Sequence, residues 1–331
     1  MSFVKTLALA GTAICLIASQ AAAERTLRMT VQVGANHPIG ANTHFFADEL
    51  NRISGGEMSV QVFDSAQLFK GQEVPQAISS GAIDMGIVLA DEYAGSIPAA
   101  GIFSVAFLFP DYATLAKAAD RDGEFRTTFD DMLLGAGSKV LWWQDYGPVQ
   151  MLSKGGPVAN PSDMQGKMVR AMGKPTGDLI EAAGGSAVVV GGSEQFVAYQ
   201  RGVVDIGMSG TTAVKSRALY EVMDHVTMTN HGLAEFLAVI NPALWDSMSD
   251  QERGWMTEAA MKAEDQLRAA TEAENVEAAK WLADGGHATV VELTPEQVTA
   301  WREATRPGVD RFRDEAGEPG EKLLSALEAI Q

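Results

Sequence analysis

Arg170 is the side chain with the clearest chemical use. It lies in an otherwise apolar run, Gly166-Lys167-Met168-Val169-Arg170-Ala171-Met172, that reads as a strand. At the C-terminal end of such a strand a guanidinium can reach a cleft and grip a carboxylate or sulfonate through two parallel hydrogen bonds. The plain alternative is a solvated arginine at a strand end. Catalytic patterns are missing. Gly207-Met208-Ser209-Gly210-Thr211 fails as a nucleophile elbow because Thr211 replaces its second glycine. No G-x-G-x-x-G follows a strand, and no G-x-x-x-x-G-K-[ST] occurs. The five histidines form no H-E-x-x-H, and His37/His44 and His225/His231 are spaced too widely for one helical turn of metal ligands. Neither a metal nor a cofactor is expected, and nothing argues for an enzyme.

Charge and length narrow the class further. The chain has 331 residues, enough for about two domains. Asp and Glu outnumber Lys and Arg 43 to 25, a formal charge of −18 that repels nucleic-acid phosphate and anionic lipid alike. The first 23 residues read as a cleavable signal peptide. Lys5 starts it, Thr6 to Ala18 is apolar, and Ala21-Ala22-Ala23 places small residues before a cleavage at Glu24. That removes Cys15, the only cysteine, so neither disulfides nor thiol catalysis is expected.

The elements that position Arg170 follow a repeated grammar. Thr26–Val33 alternates as a strand, Ala41–Ile53 carries Phe46, Leu50 and Ile53 on one helical face, and Met58–Phe63 is a second strand. A helix over Val74–Ser80 and a strand over Ile83–Leu89 complete a β-α-β-α-β lobe whose ligand surface lies at the strand ends. Met168–Ala171, Thr176–Ala183 and Ala187–Val190 repeat the pattern. The closing pieces match closely: Gly81-Ala82-Ile83-Asp84-Met85-Gly86-Ile87 against Gly202-Val203-Val204-Asp205-Ile206-Gly207-Met208. Two facing α/β lobes leave a cleft for a small ligand. Lys139–Gln150 and Phe236–Ile240 are long enough to cross between lobes as hinge strands. Ser249-x-x-Glu252 caps a helix of about 35 residues that runs to Gly285-Gly286 and can brace both lobes. Thr294 caps a further helix, which Pro307-Gly308 breaks.

The run from Leu27 to Val309 resembles the solute receptors of the TRAP (tripartite ATP-independent periplasmic) transporters, DctP type. The resemblance rests on an ordered set of pieces. Ser54-Gly55-Gly56 precedes Val60-Gln61-Val62-Phe63, Ala66-Gln67-Leu68 and Gly71-x-Glu73. Gly81-x-x-Asp84, Leu108-Phe109, Met164-Gln165-Gly166-Lys167-Met168-Val169-Arg170 and Ser193-Glu194 come next. Gly202-Val203-Val204-Asp205, Thr229-Asn230-His231-Gly232 and Trp245-Asp246-Ser247 complete the series.

What the resemblance implies is specific. The fold would be α/β, a two-lobed periplasmic-binding-protein fold with mixed sheets flanked by helices, hinge strands and one long C-terminal bracing helix. Residues 24–146 plus about 235–270 would form lobe I, and 147–234 plus about 271–331 lobe II. The chain would work in the periplasm as a monomer, without cofactor. It would close on a small organic acid and deliver it to the TRAP membrane permease subunits. Arg170 takes the family's carboxylate-binding position. Ser209 stands where asparagine is frequent, Pro148-Val149-Gln150 where a second arginine sometimes lies, and Gly192 where an aromatic often precedes the Ser-Glu pair. Asn36, Glu73, Trp143, Asp145, Tyr146, Thr211 and His231 are cleft candidates by position. Two other classes stay open as alternatives: a hydrolase using the α/β cleft, and a scaffold assembled through the long helix.

Overall fold

The computed structural model describes residues 25–331, so the signal segment and its cleavage site lie outside the described residues. In β1 (Arg25–Thr30) the inward-facing Leu27 and Met29 are buried while Thr26 and Arg28 are exposed, as alternation requires. Helix α1 (Pro38–Ile53) opens with His37 as N-cap, whose Nδ1 accepts from the Ile39 N–H at 3.1 Å. It buries Asn42, Phe46 and Leu50. Strand β2 (Met58–Phe63), helix α2 (Val74–Ser79) and strand β3 (Met85–Leu89) follow. Two helices that the apolar periodicity did not reveal, α3 (Tyr112–Ala118) and α4 (Glu124–Gly135), lead to β4 (Lys139–Pro148) and β5 (Gln150–Ser153).

The second lobe contains β6 (Met168–Ala171), α5 (Lys174–Ala182), β7 (Ser186–Val189), α6 (Gln195–Gln200) and β8 (Ile206–Ser209). After α7 (Thr211–Ser216) and β9 (His225–Met228), strand β10 (Leu233–Ile240) returns to the first lobe. The chain ends with α8 (Pro242–Asp246), α9 (Asp250–Asp284), β11 (Thr289–Glu292), α10 (Pro295–Thr305) and α11 (Pro307–Glu328).

The two sheets run β2-β1-β3-β10-β4 and β11-β9-β5-β8-β6-β7. In each, three parallel strands from the repeat (β2-β1-β3 and β7-β6-β8) meet an antiparallel neighbour, β10 or β5. The repeated aspartate has a physical reason. Asp84 Oδ2 accepts from the Arg28 N–H at 2.8 Å, and Asp205 Oδ2 accepts from the Met168 N–H at 2.8 Å. Each carboxylate thus satisfies an amide of the neighbouring parallel strand, one residue before the pairing of the two strands begins. The glycines three residues earlier, Gly81 and Gly202, sit at φ 73° and 66°, where a Cβ would be strained.

Crossing between lobes is more local than the sequence implies. Lys139–Pro148 and Leu233–Ile240 pair with each other in the first sheet, so the chain switches sheets at Val149 and again over 229–232. There the Val149 N–H donates to the Gly232 carbonyl at 2.9 Å. Gln150 Nε2 donates to Asn230 Oδ1 at 2.7 Å, and the Asn230 N–H returns a bond to Gln150 Oε1 at 3.1 Å.

Helix α9 is the third link. Its Ser249/Glu252 capping box is present, and the helix contacts α1 and β4 before reaching α7 and β11. Buried Ala259, Ala260 and Ala263 permit its close approach to α1. The grouping of 271–331 with the second lobe needs correction at its end. Helix α11 touches both lobes: Phe312, Leu323, Leu324 and Leu327 join a first-lobe core containing Phe103, Phe125 and Phe129, while Glu315 and Arg311 ion-pair with Lys174 and Asp178 of α5 at 2.8 and 3.3 Å. Its apolar stripe, which the expected break at Pro307-Gly308 obscured, chooses the first lobe. No helix among the described residues is long and apolar enough to cross a membrane.

Candidate functional site: an arginine-lined cleft between the lobes

The cleft forms where the carboxyl ends of the parallel strands from both sheets meet, as expected for open α/β sheets. Its empty space, about 440 Å³ including the mouth, is bounded by Gln32, Gln72, Glu92, Tyr146 and Phe236 on one side. Arg170, Gly192, Gln195, Ser209 and Arg217 bound it on the other. A broader hollow of about 1260 Å³, open to solvent, lies between Lys154, Lys167, Arg201 and Met223. Only the second lobe lines that hollow. Of these two, the smaller space is the one that both lobes line, and buried polar groups converge on it, so it is the candidate site.

Arg170 emerges from β6 with 4% of its surface exposed. Its Nε donates to the Val190 carbonyl at 3.0 Å and its Nη1 to the Met208 carbonyl. These bonds hold the guanidinium plane at the ends of β7 and β8. Among the described residues no carboxylate lies within ion-pair distance of it. Ser209 is buried beside it, and its hydroxyl shares a 3.2 Å hydrogen bond with the Tyr146 hydroxyl, which also accepts from the Gly210 N–H at 2.9 Å. The Tyr146 ring stacks on His37 at 5.6 Å, and burial, with the Arg217 charge behind it, holds that imidazole neutral well below its usual pKa.

Two acids follow β3. Burial raises Asp91 to about 7 and Glu92 to about 8, with the Arg170 charge opposing the shift in each. Glu92 Oε2 accepts from the Leu89 N–H at 3.1 Å, and its Oε1 meets Gln32 Nε2 at 3.4 Å.

The sequence candidates divide. Arg170, Ser209 and Tyr146 come together in the cleft. The other six do not line it. Glu73 is exposed and accepts from the Lys70 N–H at 2.8 Å as the cap of a short helical turn, while its neighbour Gln72 faces the cleft. Trp143 is fully buried among Phe103, Phe125 and Phe129, its Nε1 donating to Asp130 at 2.9 Å, because strand alternation turns it away from the cleft. Asp145 is buried against α9 and takes two 3.1 Å hydrogen bonds from Arg268. Thr211 donates to the Asn275 carbonyl on α9 at 2.9 Å. His231 is buried at the crossing, with Nδ1 2.7 Å from the Thr229 hydroxyl and a pKa lowered by burial to about 3. Asn36 reaches the second lobe, donating to the Ser216 carbonyl at 3.0 Å, but outside the cleft.

Sequence reasoning missed Arg217, Gln32, Gln72, Glu92 and Gln195. Gln32 and Glu92 carried a readable signal, since each is a polar residue just past the carboxyl end of a parallel strand. Arg217 carried less. It is the C-cap of α7, a helix short enough, at about 9 Å, for a long side chain to return to the cleft.

Comparison with known proteins agrees with this architecture. The model of the DctP family, bacterial extracellular solute-binding protein family 7, matches residues 29–315. The C4-dicarboxylate-binding periplasmic protein DctP of Rhodobacter capsulatus is 27% identical over 290 residues, covering 86% of this chain and 85% of that protein. A solute-binding protein of Verminephrobacter eiseniae is 30% identical over 239 residues, 70% of each chain. Among solved structures, a TRAP periplasmic solute binding protein from Sulfurospirillum deleyianum with bound succinate superposes with a TM-score of 0.85 at 25% identity. That match covers 93% of this chain and 100% of the other. The sugar acid binding protein DctPAm of Advenella mimigardefordensis shares the fold at a TM-score of 0.88 and 23% identity, over 93% and 99% of the two chains. With strand order, hinge crossings, bracing helix and family match in agreement, this chain belongs to the DctP family, family 7 of the bacterial extracellular solute-binding proteins.

Proposed function

We propose that the chain is the periplasmic receptor of a TRAP transporter, binding a small organic acid between its lobes and handing it to the membrane permease. The observation that carries this reading is Arg170, a buried guanidinium aimed into the cleft with no carboxylate partner among the described residues. Leaving a buried charge uncompensated is costly, so a fold keeps one there for an anion that arrives. Relatives named for C4-dicarboxylate and solved with succinate support the same class.

A carboxylate or a sulfonate fits the fork, with Ser209, Gln32 and Gln195 available for hydroxyl or other polar substituents. Ser209 faces a tyrosine hydroxyl rather than a histidine, which suits binding and gives no activated nucleophile. The receptor acts as a monomer whose lobes move about 149–150 and 229–232, with α9 bending or sliding to follow.

A thermal-shift screen of carboxylates, sulfonates, zwitterions and neutral sugars, followed by calorimetry, tests the reading. Stabilisation by acids is expected. Stabilisation by neutral sugars alone, or turnover of a bound acid by the pure protein, would overturn it.

A further inference from the structure

We propose that Arg217 is a second anion-gripping residue of the cleft, and that the site therefore selects organic acids with two anionic groups over those with one. This inference rests on the organic-acid reading above and adds a residue and a charge class to it.

Arg217 lines the same space as Arg170. Its Nη1 donates to the Gly192 carbonyl at 2.6 Å, and among the described residues no carboxylate lies within ion-pair distance. The anchor leaves the rest of the planar fork free for a ligand. The two arginines are held by different elements. Arg170 is fixed to the carbonyls at the ends of β7 and β8, and Arg217 to the turn that follows β7 from its seat after α7. They therefore present two forks that arise from different elements, β6 and the end of α7, onto anchor carbonyls two residues apart.

Gly192 makes the arrangement possible. A Cβ there would lie 2.3 Å from Gln32 Oε1 and 3.3 Å from Arg217 Nη1. Without a side chain at Gly192 this edge of the cleft stays open, and Arg217 supplies a cation there.

The local charge balance points the same way. Burial first, and repulsion from Arg170 as well, depress the Arg217 pKa. Glu92, the one carboxyl lining the cleft among the described residues, is pushed up by burial to about 8 and so is mostly neutral at pH 7, unable to cancel either arginine. A single negative charge would leave one cation of the cleft, the buried Arg170 or the half-buried Arg217, unmatched. A dianion matches both.

Isothermal calorimetry on the full mature chain decides this with probes matched in size and differing by one charge: succinate against succinamate, glutarate against glutaramate, and galactarate against galactonate. The wild type should favour the dianion of its best pair by at least about tenfold, the scale of one charge-assisted hydrogen bond. Arg217→Gln should weaken the dianion more than its monoanionic partner and so remove that preference. Arg217→Lys, which keeps the charge, should retain part of it and serves as the folding control. Equal affinity for the two members of every pair would overturn the inference and leave the receptor reading standing. So would an Arg217→Gln variant that weakens mono- and dianions equally, since both arginines would then share one anionic group. Failure of the wild type to bind any of the six acids would overturn this inference together with the organic-acid reading.

Discussion

Lys70 Nζ lies 2.7 Å from Glu194 Oε1, an ion pair that joins the first lobe to the second beside the cleft. Lys70 precedes Gln72, and Glu194 follows Gly192, so this contact lies next to residues that bound the ligand space. Both side chains remain about half exposed, which limits what the pair contributes. Lys70→Ala and Glu194→Ala should each weaken ligand affinity by less than about fivefold, mainly through faster dissociation, and the effect should fade in high salt. Stopped-flow kinetics at two ionic strengths checks this. A loss that persists in molar salt would mean that the residues touch the ligand.

Arg170 should behave differently. Removing one partner of a desolvated charge pair costs about 3–5 kcal/mol, at least a hundredfold in affinity. Arg170→Ala is expected to lose ligand binding to that degree, and Arg170→Lys to remain poor because a point charge cannot reproduce the fork. Calorimetry on variants with unchanged circular dichroism measures it. Undiminished affinity would remove Arg170 from the site.

The brace has its own charge centre. Glu264 on α9 is 1% exposed and accepts from Arg126 Nη1 at 2.7 Å, Arg126 Nη2 at 2.9 Å, Arg268 Nη1 at 2.9 Å and the Trp143 N–H at 3.0 Å. Its pKa is lowered despite burial because these donors favour the charged form. Glu264→Gln leaves the buried Arg126 poorly matched and should destabilise the fold by about 3–5 kcal/mol, read from urea denaturation. A midpoint equal to wild type would show that α9 is held by its alanine face alone.

Acidity should act on the cleft in the opposite direction from a salt-bridged carboxylate. Asp91 and Glu92 are raised to about 7 and about 8 by burial. The folded chain therefore holds more protons than the unfolded one between the ordinary carboxylate range and those values. Their stabilising share is complete below about pH 4 and disappears as pH rises through 7 and 8. The melting temperature of the ligand-free protein should fall from pH 6 to pH 9, and Glu92→Gln should flatten that fall. Parallel curves for the two proteins would exclude Glu92 as a source of the slope.

Ligand should favour the closed arrangement, because a molecule touching Arg170 on one lobe and Gln32 or Glu92 on the other binds that state better. Small-angle scattering should report a smaller radius of gyration on saturation. Identical profiles with and without saturating ligand would make the pocket rigid.

The sequence by itself determined the repeat, the cap of α9 and one cation that lines the cleft. Those features depend on local chemistry: glycine at positive φ, aspartate satisfying an incoming strand amide, a serine-glutamate capping box, and a guanidinium inside an apolar strand. Tertiary structure decided which neighbours of those features meet. Trp143 and Asp145 flank the cleft in sequence, yet Trp143 turns into the first lobe's aromatic core and Asp145 turns onto Arg268 of α9. Helix α11 turned its apolar stripe to the first lobe because its Phe312 and Leu323 found aromatic partners far earlier in the chain. Arg217 reached the cleft only because α7 is short, Gly192 lacks a side chain, and its carbonyl lies within hydrogen-bond reach. Strand and helix periods can be read along the chain because they arise from bonds between near neighbours. The partner of a long cationic side chain is set by contacts across the fold, and the spacing of residues along the sequence does not contain them.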